Sequence, residues 1–220
     1  MLLPLLAVAI TVLLLVWRWF KQPNLVIVSS HWNEDLTWLK DSKYKVVVID
    51  HMGSLPPAIR PTTVIPNRGR EASSYIRYII DNYNNLPNYM AFIHGHEFAH
   101  HQKLGPILDL IDTTPLHSDT FVTLNSEPGP CKIWPKLCKD HWPHVFEKWF
   151  GSCPSVPPCL DAGAQFVVSK ELIRKHPKAM YKDAYTHLMK HRDTYHAGCL
   201  YEYTWHFLFG KPWNNCQTKA

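Results

Sequence analysis

Three short apolar runs constrain this chain most. Leu25-Val26-Ile27-Val28, Val46-Val47-Val48-Ile49 and Tyr89-Met90-Ala91-Phe92-Ile93 are uncharged and rich in β-branched or aromatic residues. Runs of that kind suit strands buried on both faces. Between the second and third, Ala72, Ile76, Ile79, Ile80 and Tyr83 recur at helical spacing, which predicts an amphipathic helix. Asn67 can cap that helix, Glu71 sits in its first turn, and Leu86-Pro87-Asn88 closes it. Glu34 to Lys40 reads as a shorter helix after the first strand. Strands separated by such crossovers pair in parallel, so the expected architecture is α/β, a doubly wound, mainly parallel sheet of the Rossmann type.

This architecture brings three strand ends to one edge: Ser30-His31, Asp50-His51 and His94-Gly95-His96. In open α/β sheets ligands bind at that edge. Asn67-Arg68-Gly69-Arg70 stands at the turn into the helix, where free backbone N–H groups and two guanidinium groups suit an anion such as a diphosphate. The alternative is a solvated helix start. With Ser30 and Asp50 these residues form the expected donor site. His94 and His96, with Asp50, could hold a divalent metal, or act as neutral hydrogen-bonding imidazoles. His96-Glu97-Phe98-Ala99-His100 spells H-E-x-x-H literally. That zinc motif must lie within a helix, and here a strand ends just before it. Glu202 and His206 share one face of a final helix, Cys199 to Phe209, ended by Gly210. They fit a general base and its partner, or a structural Glu–His bond.

Residues 1–21 form an almost unbroken apolar run closed by Arg18, Trp19, Phe20 and Lys21, read as a single-pass membrane anchor. Residues 22–220 are then one α/β domain, with an irregular insertion of loops and short helices, rich in Cys, Trp and Pro, at about 105–160. A strand at Gly163–Ser169 and helical segments at Lys170–His176 and Met180–His191 follow. The charges after the anchor favour a cytoplasmic body by the positive-inside rule. The six cysteines, all in the second half, favour three disulfides and a lumenal or extracellular one. A net charge of +5 without a long basic run excludes nucleic acid as a partner and favours a small anionic ligand.

The motifs Asn67-x-Gly69-Arg70-Glu71-Ala72 with Tyr75, Phe92-x-His94-Gly95-His96, Ala164-Gln165-Phe166-Val167-Val168-Ser169 and Glu202-x-x-Trp205-His206-x-x-Phe209-Gly210 resemble a family of proteins of unknown function, DUF3431. The resemblance runs from about Leu25 to Gly210. The layout is similar to nucleotide-sugar glycosyltransferases of the GT-A fold, although His94-Gly95-His96 stands where those enzymes carry Asp-x-Asp. The resemblance implies a membrane-anchored, glycosyltransferase-like protein with a nucleotide-sugar donor, a glycan or hydroxyl acceptor and a divalent metal at His94 and His96. Two alternatives stand beside it: a non-catalytic carbohydrate-binding protein on the same fold, and a metal-dependent hydrolase at the histidine cluster.

Overall fold

The computed structural model describes residues 23–53, 63–99, 102–126, 131–158 and 163–213. Its six strands are β1 (Leu25–His31), β2 (Lys45–Asp50), β3 (Thr63–Val64), β4 (Tyr89–His94), β5 (Phe121–Thr123) and β6 (Phe166–Ser169). They form one sheet in the order β3-β2-β1-β4-β6-β5. β1 is buried along its whole length and pairs in parallel with β2 and β4. β3 continues the parallel part, while β6 runs antiparallel to both β4 and β5.

Among the described residues, eight α-helical segments surround the sheet: α1 (Arg70–Asn82), α2 (Ile107–Asp112), α3 (Trp134–Asp140), α4 (Trp142–Val145), α5 (Glu147–Phe150), α6 (Lys170–Ile173), α7 (Lys178–Lys190) and α8 (Thr194–Leu208). Successive strand residues point to opposite faces, so the sheet carries two separate cores. Val26, Val28, Val47, Ile49, Met90 and Phe92 pack with α1, α7 and α8. Leu25, Ile27, Val48, Ala91 and Ile93 pack with Leu36, Leu39 and the α2 residues Ile107 and Ile111. The larger core is aromatic: Tyr75 lies between Phe92, Phe166 and Trp205, with ring centroids 4.9–6.0 Å apart. Burying each such ring removes roughly 150–250 Å² from water, about 4–6 kcal/mol at ~25 cal/mol per Å².

The α/β class and the mainly parallel sheet agree with the sequence reading, and several elements differ from it. Glu34 to Lys40 is no α-helix: a 3₁₀ turn covers Thr37–Asp41, and Asp35 binds the Thr37 N–H and hydroxyl ahead of it. The 105–160 insertion holds the short helices α2 to α5, as expected, but also a strand, β5. The last helix begins at Thr194 rather than Cys199, because the Asp193 carboxylate accepts from the His196 N–H and caps it. Asn67 does not cap α1. The chain enters that helix through two left-handed residues, Gly69 (φ 73) and Arg70 (φ 54). A Cβ at Gly69 would meet Leu188 at 2.7 Å, so the position suits only glycine.

One disulfide, Cys138–Cys153, staples α3 to the chain after α5. Three were expected. Cys131 and Cys199 are instead buried free thiols, and Cys159 and Cys216 lie outside the described residues. Burial among apolar side chains suits a neutral thiol as well as a bridge. Among the described residues no helix is long and apolar enough to cross a membrane. The anchor read at 1–21 lies outside them.

Candidate functional site

Strand register builds the site. Parallel pairing sets His31 beside Asp50 and Ser30 beside His94. The polar residues therefore begin at one level, where the three strands leave the apolar core. The N-terminal end of α1 closes the same edge, and together they enclose a cavity of about 330 Å³. Ser30, His51, Asn67, Arg70 and His94, expected there from sequence, line it. So do His31 and Glu71, from the same strand end and turn, and Trp32, Glu34 and Tyr195, which were not expected.

The walls are held by hydrogen bonds. His51 Nδ1 lies 3.3 Å from the Pro66 carbonyl, which can only accept, so that nitrogen carries the proton. Its Nε2 then accepts from hydroxyls, with Ser74 Oγ at 2.8 Å and Ser30 Oγ at 3.2 Å. Burial lowers the His51 pKa, with the Pro66 contact opposing, in keeping with a neutral ring. His31 lies between two acceptors, Asp50 Oδ1 at 2.9 Å and the Glu34 carbonyl at 3.1 Å. Asp50 is fully buried, and its Oδ1 also receives the Met52 N–H. Asp50 thus holds His31 and the β2 exit rather than facing a ligand. Burial alone would raise the Glu34 pKa. The N–H groups of Trp32 and Asn33, which donate to its Oε2 at 2.7 and 3.0 Å, outweigh that and lower it.

The strongest electrostatic feature is one guanidinium between two carboxylates. Arg70 Nη1 donates to Glu202 Oε2 at 3.1 Å, and Arg70 Nε lies 3.6 Å from Glu71 Oε2. The guanidinium also stacks over Tyr195, 5.1 Å from the ring centre. Burial opposes the Arg70 charge, but the two carboxylates outweigh it and raise its pKa. One cation cannot neutralise two part-buried carboxylates. Burial raises the Glu202 pKa to about 7, helped by the Glu71 charge and opposed by Arg70. Burial raises Glu71 as well, and its Oε1 has no hydrogen-bond partner.

Other sequence-predicted residues lie elsewhere. Arg68 turns away, and its Nη2 donates to the His191 carbonyl at 2.8 Å. Glu202 does not line the cavity but stands behind Arg70, and His206 is fully buried with Nε2 3.4 Å from the Trp213 carbonyl. Helical spacing put both on one face, but tertiary packing turned Glu202 to a cation and His206 to a carbonyl. Gly69 serves the close approach of α1 to α7 and α8, since a Cβ on Gly198 would lie 2.7 Å from its carbonyl oxygen.

The expected metal site is corrected likewise. β4 stops at His94, and the exposed His96 reaches only to Glu34 Oε1, 3.8 Å away. Gly95 makes room for the Glu34 side chain, which a Cβ would meet at 2.9 Å. Among the described residues the group of three metal-capable side chains is instead His141, His187 and His191. No single spacing announces all three, but His187-x-x-x-His191 on a helix is a signal that sequence reasoning passed over. Residues 95–99 are not helical, so Glu97 lacks the setting of a zinc protease.

The chain belongs to the family described as "Protein of unknown function (DUF3431)", which matches residues 26–220. Comparison with curated proteins finds no match.

Proposed function

We propose that this chain is a glycosyltransferase-like protein that holds a nucleotide-sugar donor in the sheet-edge cavity and passes the sugar to a hydroxyl acceptor. One observation carries the reading: Arg70 and Asn67 at the start of α1 face the ends of β1, β2 and β4 across a cavity of about 330 Å³. The layout similarity to GT-A transferases points the same way. The first-turn N–H groups of α1 and the Arg70 guanidinium meet the diphosphate. Trp32, 53% exposed at the rim, offers a flat face to the nucleobase.

In transfer, the acceptor oxygen attacks the anomeric carbon, and the bond from that carbon to the diphosphate oxygen breaks. The acceptor proton passes to Glu71, the cavity carboxylate with an unpartnered Oε1. Arg70 faces the negative charge that the leaving diphosphate gains, which is the main catalytic contribution. Glu202 acts through Arg70 by fixing its position. A divalent ion at His94 and His96 is not part of this mechanism, because those side chains and Asp50 do not gather into a ligand set. Residues 1–21, read as an anchor, would hold the domain at a membrane, and Cys138–Cys153 favours the lumenal or extracellular side.

Calorimetric titration of the full chain with uridine and guanosine diphosphate sugars tests the reading, with free glycans and nucleoside monophosphates as controls. A nucleotide diphosphate sugar should bind. Arg70→Ala should weaken it by about 1.5–3 kcal/mol, the range for a charge-assisted hydrogen bond. Glu71→Gln should keep binding and lose transfer. If free glycans alone bind, the protein is a carbohydrate-binding module.

A further inference from the structure

Away from the sheet-edge cavity, His187 and His191 lie one turn apart at the C-terminal end of α7, with His191 as its last capping residue. His141 sits at the junction of α3 and α4. Its N–H donates to Leu137 and its carbonyl accepts from His144, so the backbone fixes its place. One nitrogen from each of the three rings falls within 4.8 Å of the others. We propose that His141, His187 and His191 form a zinc site, independent of the donor cavity.

The spacing of the rings carries the inference. His141 Nδ1 and His187 Nε2 are 3.4 Å apart. Zinc–imidazole bonds of about 2.0–2.1 Å at tetrahedral angles place neighbouring ligand nitrogens roughly 3.3–3.4 Å apart. In the absence of a cation these two nitrogens can share only one proton. His141 is fully buried and His187 is 6% exposed; their outward nitrogens, His141 Nε2 and His187 Nδ1, have no hydrogen-bond partner, so neither ring is held by an outer hydrogen bond and the facing nitrogens point at each other.

The surroundings carry both signs: Lys148 and Lys190 line the adjoining cavity, with Lys148 paired to Asp183 at 2.9 Å. His191 Nδ1 accepts from the Asp193 N–H at 3.1 Å, which holds the ring beside the other two. The carbonyl end of α7 carries the negative end of the helix dipole. Lys136, whose charge reaches His141, is itself paired with Asp140 at 2.7 Å and Asp193 at 3.3 Å. His187 and His191 also line a cavity of about 340 Å³, with His144 on its wall. Three imidazoles leave the fourth position to water from that cavity.

The test is a cobalt(II) titration of the tag-free full chain after dialysis against a chelator. One equivalent should give the strong visible bands of tetrahedral cobalt, and zinc should abolish them. His187→Gln and His191→Gln should each weaken binding at least tenfold. The partly exposed His191 lets the second variant keep its fold, checked by circular dichroism. His96→Gln should titrate as the wild type. Absence of a saturable band, wild-type affinity in His191→Gln, or loss of binding in His96→Gln would each overturn the site. None of these readouts involves a nucleotide sugar, so this site and the donor cavity stand or fall separately.

Discussion

At the sheet edge, both ring nitrogens of His31 and of His51 are engaged, while at the junction of α3 with α7, His141 and His187 each leave one buried nitrogen unpaired. The two regions are buried to similar degrees, so burial alone does not account for the difference. The sheet-edge groups are set by strand register, which delivers Asp50 to His31 together with the backbone that carries both. The histidine cluster is set by short helices packing side chain to side chain, with no ladder to bring partners along. A polar group placed by register arrives paired. One placed by helix packing finds a partner only where another side chain or a ligand supplies it.

The sharpest way to break this comparison is to remove a register partner. Asp50→Ala leaves His31 buried without its carboxylate and the Met52 N–H without its acceptor. Losing one member of such a buried pair should cost about 3–5 kcal/mol, read from the urea midpoint. A loss below about 1 kcal/mol would mean the sheet edge is no better paired than the helix cluster.

Next in size is the response to pH in chelated protein, where the two regions have opposite signs. The folded Glu202 pKa, about 7, lies above the ordinary 4.5, so the folded chain keeps a proton that the unfolded chain has lost. Its contribution to stability is present at low pH and fades as pH rises through about 7. Burial, aided by the neighbouring histidines, lowers His141 to about 4 and His187 to about 3, below the usual 6.5. Their contribution is present above about 6.5 and is lost on acidification. The two slopes oppose each other between about pH 4.5 and 6.5. Glu202→Gln should therefore deepen the loss of stability between about pH 7 and pH 5, by about 1–2 kcal/mol. Denaturant midpoints across that range check it, and an unchanged profile would refute the buried-pair account of Glu71 and Glu202.

Ser74→Ala removes the closer of the two hydroxyls on His51 Nε2, but Ser30 at 3.2 Å remains. About 1 kcal/mol should be lost, the ordinary net value of one hydrogen bond. The smallest effect belongs to the unpaired region. His141→Phe in chelated protein removes an imidazole whose Nε2 bonds to nothing and whose Nδ1 makes only the long 3.4 Å contact to His187, so the cost should stay below about 1 kcal/mol. Saturating zinc should then raise the midpoint of the wild type but not of this variant. Equal zinc stabilisation in both would remove His141 from the ligand set.

Strands β1, β2 and β4 and helix α1 were legible because their patterns are local: β-branched runs of four or five residues, and apolar residues every third or fourth position. Their meeting at one edge followed from crossover connections. β5 and the bounds of α2 were not legible within the insertion. β5 has only three residues and exists by pairing with β6, and α2 has six. The start of α8 could have been read from Asp193-Thr194, a capping signal that the apolar pattern after Cys199 overshadowed. Site residues were legible where one strand end or one turn fixes the side chain, as for Ser30, His94, Asn67 and Arg70. The roles of Glu71 and Glu202 were not, because both depend on which side of Arg70 each carboxylate falls.

The amino-acid sequence by itself determined the class of fold, the parallel order of the central strands and the edge at which their polar ends gather. Each rests on periodicity and chain connectivity, which act over a few residues or one crossover. Tertiary structure alone decided which carboxylate faces the cavity, that His96 points to Glu34 rather than to His94, and that His141 meets His187 across 46 residues. Those outcomes come from side chains far apart in the chain competing for the same partner or space. No local pattern records that competition, because it is settled only once the helices are packed.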